Sequence, residues 1–222
     1  MIDLRLGDCL EVMKTIPDGS VDLVVSDPPY NQDYHYDNYN DNLTIDEYKE
    51  LLCAVFSNRK SVIISYPEET INLLSYIGEC QGVVSWIYNS NTAKQHRLIT
   101  WWNCKPDMRR ISQPYKNPTD KRIAKRIIEG KQARLYDWWE INQVKNVSKN
   151  FNHPCPIPEE IAKRIILLTT KEGDTVLDPF MGSGTVGIAC KKLNRNFIGI
   201  EISPEYFEIA KRRIDNTMEN LL

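Results

Sequence analysis

The sequence predicts an α/β protein in which short β-strands alternate with helices and one long basic segment interrupts the alternation. Branched apolar residues cluster in short runs such as Ser61–Ser65, a length and composition typical of buried strands. Between these runs, apolar residues such as Tyr48, Leu51 and Val55 recur at helical spacing. Both ends of the chain show this alternation, so we expect one α/β domain with a segment inserted into it.

The first part of the chain, residues 1–90, contains four predicted strands and three predicted helices. Thr44 and Glu47 have the spacing of a capping box at the start of the second helix, and Pro67 opens the third. We predict the strands at residues 4–6, 21–26, 61–65 and 83–88, and the helices at 9–16, 44–55 and 67–77.

The last part of the chain, residues 153–222, returns to the same alternation. Pro158 and Pro204 stand at predicted helix starts, and Ser203 precedes the second of them as an N-cap. We predict helices beginning at 158 and 204, a helix at 186–193, and strands at 175–178 and 196–200.

Four residues, Asp27-Pro28-Pro29-Tyr30, end the strand at 21–26 and predict a rigid binding ledge. Each proline restricts φ and lacks an N–H group, so the backbone beyond Asp27 is stiff and extended. The carboxylate and the proline carbonyls can accept hydrogen bonds from an amino group, and the Tyr30 ring can stack on a flat heterocycle. The set suits a planar ring that carries an NH₂ group, although the tetrapeptide alone is equally typical of a strand-ending turn.

A glycine-containing turn, Gly182-Ser183-Gly184, joins the strand at 175–178 to a helix, and the next strand ends at Glu201. This layout is typical of nucleotide-binding βαβ units, in which an acid at the second strand end accepts hydrogen bonds from ribose. The turn has neither the dinucleotide spacing nor a P-loop lysine. A ligand with a ribose and a positive or zwitterionic tail therefore fits better than a pyrophosphate, and S-adenosyl-methionine has that description.

The middle of the chain is strongly basic, although the whole chain has a net charge of −2. Residues 91–150 contain 14 Lys or Arg and 5 Asp or Glu, together with several tryptophans and tyrosines. Basic residues interleaved with aromatic ones favour a nucleic-acid surface over a merely solvated face. We expect the pairs Trp101-Trp102 and Trp138-Trp139 to pack within this segment's own core rather than to contact bases. The cations expected to contact phosphates are Arg109, Arg110, Lys121, Arg122, Lys125 and Arg126.

The composition predicts a soluble protein of a reducing compartment. The six cysteines are scattered and include no Cys-x-x-Cys pair, which argues against a zinc site or a disulfide framework. No apolar run is long enough to cross a bilayer, and the N-terminus lacks a signal-peptide pattern. We therefore expect a cytoplasmic protein that binds neither a membrane nor a metal.

Together the motifs resemble those of the DNA amino-methyltransferases, which methylate exocyclic amino groups of adenine or cytosine. Asp27–Tyr30 matches their catalytic motif, and Asp178–Thr185 matches their S-adenosyl-methionine motif throughout. Glu201 matches their ribose-binding acid, and Gly7–Asp8 matches the strand end that contacts the cofactor's adenine. His153–Pro158 is similar to a segment that packs around the methionine end. The motif order resembles the β group of the family.

The resemblance implies a Rossmann-like methyltransferase sheet, mostly parallel with a reversed last strand and with helices on both faces. Residues 1–90 would form the catalytic half and residues 153–222 the S-adenosyl-methionine-binding half. Residues 91–152 would form an inserted target-recognition lobe, which we expect to lie outside the central sheet. Ile157 stands where many members have a lysine, so the His-Pro segment departs from the family there.

The resemblance also implies direct methyl transfer to nitrogen, without a metal or a cysteine nucleophile. Hydrogen bonds from the amine to Asp27 and to the Pro28 carbonyl would turn its lone pair toward the methyl group, and the flipped base would stack on Tyr30. The implied catalytic residues are Asp27, Pro28, Pro29 and Tyr30. The implied cofactor-binding residues are Asp8, Cys9, Asp27, His153, Pro154, Asp178, Pro179, Phe180, Gly182, Ser183, Gly184, Thr185, Glu201 and Ile202.

Several alternatives remain open at the level of the substrate. Asp27 in place of a serine favours adenine N6, because Ser-Pro-Pro-Tyr is commoner in the members that methylate cytosine N4. A protein glutamine methyltransferase is a more distant alternative, since those enzymes usually carry Asn-Pro-Pro-Tyr after the cofactor motif. The expected partner is double-stranded DNA. The resemblance leaves open a homodimer and a cognate restriction enzyme.

Overall fold

The computed structural model describes residues 1–33, 35–36, 39–73, 76–91, 93–144 and 156–218. In chain order the strands β1 to β12 span Ile2–Leu6, Leu23–Ser26, His35–Tyr36, Tyr39–Asn40, Ser61–Ser65, Cys80–Ile87, His96–Trp102, Ser112–Gln113, Ala133–Arg134, Trp138–Glu140, Thr175–Asp178 and Asn196–Glu201. The helices α1 to α7 span Cys9–Met13, Ile45–Phe56, Pro67–Leu73, Lys121–Ile128, Glu159–Thr169, Thr185–Lys192 and Pro204–Asp215. A short 3₁₀ helix spans Met108–Arg110.

A single eight-stranded sheet in the order β1-β12-β11-β2-β5-β7-β6-β10 organises the molecule. All of its described neighbours pair in parallel except those of β7, which is antiparallel to both β5 and β6. The strands β2 and β11 are direct neighbours, with Val24 opposite Leu177. The ledge and the glycine turn, far apart in the chain, therefore leave the same edge of the sheet side by side.

Helices cover both faces of this sheet, as predicted. Alternate residues of β2 point to opposite sides, so Leu23 and Val25 join one buried cluster and Val24 joins the other. The first cluster is completed by residues of α5, α6 and α7, and the second by residues of α1 and α2. Among the described residues, no helix combines the length and the apolar character needed to cross a membrane.

The capping residues in the sequence correctly predicted where α2 and α7 begin. The Thr44 side chain accepts a hydrogen bond from the Glu47 N–H, and the Glu47 carboxylate accepts one from the Thr44 N–H, which completes the predicted capping box. Ser203 likewise accepts from the Tyr206 N–H at the start of α7, with Pro204 as the first helical residue. These caps satisfy N–H groups that would otherwise have no partner.

The position of the reversed strand differs from the expectation. The antiparallel strand is β7, which lies inside the sheet between β5 and β6, whereas the last sheet strand of the chain, β12, is parallel to its neighbours. The connection from β6 to β7 covers only residues 88–95. Such a short link joins antiparallel neighbours, because a parallel pair requires a crossover of a dozen or more residues.

The expectation that residues 91–152 lie outside the central sheet is wrong for two strands. β7 and β10 both belong to this segment, and both pair within the sheet. Trp101 and Trp102 on β7 and Trp139 on β10 are completely or almost completely buried, so the apolar content of the segment is what draws it into the core. Between the two strands, residues 103–137 carry α4 and the antiparallel pair of β8 and β9, and Leu135 of this stretch is buried in the main core.

Candidate active site

The candidate site is a cavity at the carboxyl ends of four adjacent strands, β1, β12, β11 and β2. The carboxyl ends of parallel strands form the usual ligand-binding edge of an α/β sheet. Each strand contributes one acidic group at or just beyond its last residue: Asp8, Glu201, Asp178 and Asp27. The cavity therefore brings together motifs that are separated by up to about 190 positions in the chain.

Asp27 occupies the ledge end of the cavity and already has two protein partners. Its Oδ2 lies 2.9 Å from Arg97 Nη1, and its Oδ1 accepts a hydrogen bond from the Tyr30 hydroxyl. Burial raises the pKa of Asp27 above its ordinary value, while the Arg97 cation and the Tyr30 hydrogen bond lower it. An ionised carboxylate has about four lone-pair positions, so two bonds leave room for an incoming amine.

The two proline carbonyls of the ledge are not equivalent. Tyr48 on α2 donates its hydroxyl to the Pro29 carbonyl at 3.0 Å. This bond fixes the ledge against α2 and engages one of the two carbonyls that sequence reasoning had expected to be available. It leaves the Pro28 carbonyl as the better acceptor for a substrate amine beside Asp27.

The Tyr30 ring lies against an aromatic neighbour that the motif did not reveal. Its centroid is 5.4 Å from that of Tyr66, with 57° between the ring planes, and the Arg97 guanidinium lies 5.6 Å from the same centroid. Burial and the adjacent Asp27 carboxylate raise the pKa of Tyr30 well above its ordinary value, so this hydroxyl stays protonated and donates. A flat base entering here would meet an aromatic surface.

The glycine turn after β11 has the backbone freedom that its sequence predicted. Gly182 has a φ of 52° and Gly184 a φ of 80°, both in the left-handed region. A Cβ on Gly184 would approach Ala210 Cβ to 3.0 Å, so this glycine permits close packing of α6 on α7. Arg213 of α7 donates a hydrogen bond to the Ser183 carbonyl and so fixes the turn to α7.

Glu201 organises the turn as well as facing the cavity. One carboxylate oxygen accepts from the Gly182 N–H at 2.7 Å, and the other accepts from the Ser203 N–H at 2.9 Å. Burial raises the pKa of Glu201, and these backbone hydrogen bonds lower it. Each oxygen retains acceptor capacity for a hydroxyl pair such as that of ribose.

Asp178 is a buried acid at the end of β11 with two hydrogen-bond donors. Its Oδ1 accepts from the Phe180 N–H at 3.2 Å and from the Ser26 hydroxyl at 3.3 Å. Burial, reinforced by the charges of Glu201 and Asp27, raises its pKa to about 8. A cationic ligand would stabilise the ionised form of an acid in this environment, and a sulfonium with an ammonium group meets that requirement.

Asp8 and Cys9 have more local roles than the resemblance implied. Asp8 Oδ1 accepts from the N–H groups of Leu10 and Glu11 and so caps α1. The Cys9 thiol is buried, and burial raises its pKa to about 12, which keeps it neutral and poorly nucleophilic. Both residues line the cavity, so contact with a cofactor remains a prediction for each.

The described site residues predicted from sequence converge on this one cavity, with one exception. Gly184 does not line it, because its missing side chain faces Ala210 and its N–H donates to the Met181 carbonyl. His153 and Pro154 lie outside the described residues. Sequence reasoning missed several lining residues, which are Leu51, Arg97, Val186, Ile200, Ser203 and Tyr206.

Arg97 is the most consequential of the missed residues. It lies on β7 in the basic segment, and no local motif distinguishes it from the other cations there. Only the antiparallel pairing of β7 with β5 brings it next to the ledge. Among the described residues, no group of three His, Cys, Asp or Glu side chains is placed to hold a metal ion.

A mostly parallel sheet with an amine-accepting ledge beside a nucleotide-type glycine turn defines an α/β enzyme of the methyltransferase class. A family model described as DNA methylase, covering N6 and N4 methyltransferases, matches residues 21–212. The chain belongs to this family.

Individual relatives agree with the family match. The Type II methyltransferase M.HpaI of Haemophilus parainfluenzae is 30% identical over 245 residues, which cover 97% of this chain and 75% of that protein. The DNA adenine methyltransferase YhdJ of Escherichia coli strain K12 is 31% identical over 244 residues, covering 94% and 81%. The crystal structure of an M1.HpyAVI–SAM complex is similar with a TM-score of 0.67 at 25% identity, covering 97% of this chain and all of that one.

Proposed function

We propose that this protein transfers a methyl group from S-adenosyl-methionine to the N6 amino group of adenine in double-stranded DNA. One observation carries the proposal: the Asp27 ledge and the Asp178 turn leave neighbouring strands and line the same cavity. A methyl donor on the turn and an amine on the ledge would therefore be direct neighbours. Such positioning supplies much of the rate acceleration available to a one-step displacement.

The residues present suit S-adenosyl-methionine as the donor. Glu201 would accept hydrogen bonds from the ribose hydroxyls, while Asp178 and the Gly182 turn would face the charged methionine end. The bound cofactor supplies an electrophilic methyl group on a sulfonium. Its positive charge would offset the repulsion among the buried acids, which supports this ligand over an anionic one.

The ledge would activate the amine by hydrogen bonding. An exocyclic amine is a poor nucleophile because its lone pair is delocalised into the ring. Asp27 and the Pro28 carbonyl would accept its two hydrogens, favour a pyramidal nitrogen and leave its lone pair facing the methyl group. The target base would have to leave the duplex to reach this depth, and the rings of Tyr30 and Tyr66 would receive it.

The choice of adenine rests on Asp27 and on the adenine methyltransferase among the relatives. The second candidate is methylation of cytosine N4, which the same family contains and the same ledge chemistry would allow. A protein glutamine substrate is disfavoured, because the family match covers 21–212 and the motif order is that of DNA enzymes.

The test uses purified protein, tritiated S-adenosyl-methionine and plasmid DNA lacking modified bases. Digestion to deoxynucleosides followed by chromatography separates N6-methyldeoxyadenosine from N4-methyldeoxycytidine. We expect label in the adenine product alone. Label in the cytosine product would establish the second candidate, and label confined to added protein would reject a DNA substrate.

The proposal extends to partners at a coarser level. Residues 103–137 carry the basic helix α4, none of whose residues is buried, so we propose that this segment contacts DNA during target recognition. A homodimer and a cognate restriction enzyme stay predictions, as does a cytoplasmic location. Sedimentation of the purified protein with and without duplex DNA would test the first of these.

A further inference from the structure

Arg97 is a buried cation in direct contact with the ledge, and neither of the site motifs contains it. Its side chain is only 4% exposed, and Nη1 lies 2.9 Å from Asp27 Oδ2. The two residues are 70 positions apart and meet because β7 inserts beside β5, the neighbour of β2. A buried ion pair of this kind costs desolvation, so its presence at a reaction site requires an explanation.

Aromatic rings hold the guanidinium in one orientation. Its central carbon lies 5.0 Å from the Tyr66 centroid and 5.6 Å from the centroids of Tyr30 and Trp86. Cation–π attraction and the planar fork together restrict where the group can point. The carboxylate bonded to this fixed group is restricted in the same way.

The charge of Asp27 depends on this neighbour. The titratable and charged groups that face Asp27 are Tyr30 on its own loop, Arg97 on β7 and Asp178 at the end of β11. Burial favours the protonated acid, whereas Arg97 and the Tyr30 hydrogen bond favour the carboxylate. A protonated Asp27 would donate its hydrogen to the amine lone pair, which is the pair that must attack the methyl group.

We propose that Arg97 is a positioning residue for methyl transfer, which holds the Asp27 carboxylate charged and turned toward the target amine. The inference rests on the proposed function for its catalytic consequence. It assigns Arg97 no contact with the substrate, since its effect passes through Asp27. The charge and the orientation of the guanidinium both belong to the proposal, and a lysine at this position tests the charge separately.

The experiment compares the wild type with Arg97→Met, Arg97→Gln and Arg97→Lys. The measured quantity is kcat for DNA methylation as a function of pH, from about 5.5 to about 9. Without the cation, the pKa of Asp27 in the complex rises. The acid limb of the pH profile, where activity is lost as Asp27 becomes protonated, therefore moves to higher pH. We expect the acid limb of Arg97→Met and Arg97→Gln to move up by about 1–3 pH units. Arg97→Lys restores the charge and should restore the limb to near its wild-type position.

Lys94→Met is the matched control. Lys94 Nζ lies 4.2 Å from the centroid of the Tyr66 ring and 3.9 Å from Glu68 Oε1. In the described part of the chain it makes no hydrogen bond or ion pair with Asp27. Loss of this nearby cation should leave the acid limb in place. The KM for S-adenosyl-methionine should stay within about twofold in all variants, because none of them alters the glycine turn.

Two outcomes separate this inference from the proposed function. A carboxyl ¹³C NMR titration, with Asp27→Asn to assign the resonance, measures the same pKa without turnover. If the wild type transfers no methyl to DNA, the proposed function fails while the titration still tests Arg97. If neutral variants at Arg97 keep the wild-type acid limb and the wild-type Asp27 titration, the inference is overturned. Should Arg97→Met fail to fold, Arg97→Gln gives the same measurement.

Discussion

At the scale of single residues, Asp27 is held by contacts with neighbouring residues of the site. Its carboxylate is bonded to Arg97 and Tyr30, stands on a ledge anchored through Pro29 to Tyr48, and borders the cavity. Each of these contacts orients the group, and none of them fills the pocket. The residue is therefore held ready for a ligand, as expected of an acceptor for a substrate amine.

Replacement of Asp27 by alanine should abolish methyl transfer and leave cofactor binding largely intact. The carboxylate faces the ledge end of the cavity, whereas the cofactor is expected at the glycine turn. Tritium transfer measures activity, and calorimetric titration with S-adenosyl-methionine measures binding. Turnover near the wild-type rate would contradict the assigned role. Loss of cofactor binding would show that Asp27 also contacts the cofactor, as the family resemblance implies.

Replacement of Glu201 by glutamine should weaken cofactor binding by about 1.5–3 kcal/mol, the usual loss for a charge-assisted hydrogen bond. The two oxygens of Glu201 accept hydrogen bonds from two backbone N–H groups. In the glutamine variant an NH₂ group would face one of these donors, so the turn itself is also disturbed. Calorimetry gives the affinity. The exposed Glu205→Gln on α7 is the control. Equal affinity in the wild type and Glu201→Gln would exclude a ribose contact.

At the scale of elements, the structure gives some cations of the basic segment internal contacts that compete with a role in DNA binding. Arg110 donates to the carbonyl of Thr170 at 2.6 Å and to that of Leu167, so it caps the carboxyl end of α5. Arg109 pairs with Asp107 in the same turn. The expectation that Arg110 is a phosphate contact therefore loses support, because its structural role already explains it.

The helix α4 is the better candidate for docking on DNA. Asp120 caps its first turn, none of its residues is buried, and its basic residues lie on one side. Replacement of Lys121, Arg122, Lys125 and Arg126 by glutamine should lower the salt dependence of DNA binding. The slope of log affinity against log salt should decrease by about one for each phosphate that the variant no longer binds.

Titration of duplex DNA at several salt concentrations measures this slope. The matched control replaces four exposed cations elsewhere, Lys14, Lys171, Lys211 and Arg212, and removes the same net charge. We expect a smaller slope for the α4 variant alone. Equal slopes for both variants would show that net charge, and not α4, governs binding, and an unchanged slope would assign docking to another surface.

At the scale of the whole molecule, ligand binding and stability are coupled through the buried acids. The pKa of Asp178 is raised from 3.8 to about 8 by burial, helped by Glu201 and Asp27. Between these two values the folded protein holds a proton that the unfolded chain releases. The contribution of Asp178 to the stability of the free protein therefore falls as pH rises from about 4 to 8.

S-adenosyl-methionine should reverse this trend, because a cation favours the ionised form of Asp178. The increase in Tm on cofactor binding should therefore be larger at pH 8 than at pH 6. Thermal unfolding at fixed cofactor concentration measures it, and Asp178→Asn should show a weaker dependence on pH. An increase that is independent of pH in the wild type would mean that Asp178 does not titrate with binding.

Sequence alone predicted most elements of the fold and most of the site. The mostly parallel sheet, the helices on both faces and the caps at Thr44 and Ser203 are confirmed. The ledge and the glycine turn were predicted as site components from their residue types, and both line the cavity. These signals can be recognised in the sequence because prolines, glycines and capping side chains determine the backbone conformation only of residues close to them in the chain.

Only the tertiary structure decided the position of β7 in the sheet, the role of Gly184 in packing α6 on α7, and the pairing of Arg97 with Asp27. Periodicity and capping depend on neighbours within about one helical turn, so the sequence determined the elements and the local chemistry of each motif. Strand order depends on which apolar surfaces are buried together across the whole chain. A cation 70 positions from the ledge becomes part of the site only through that burial.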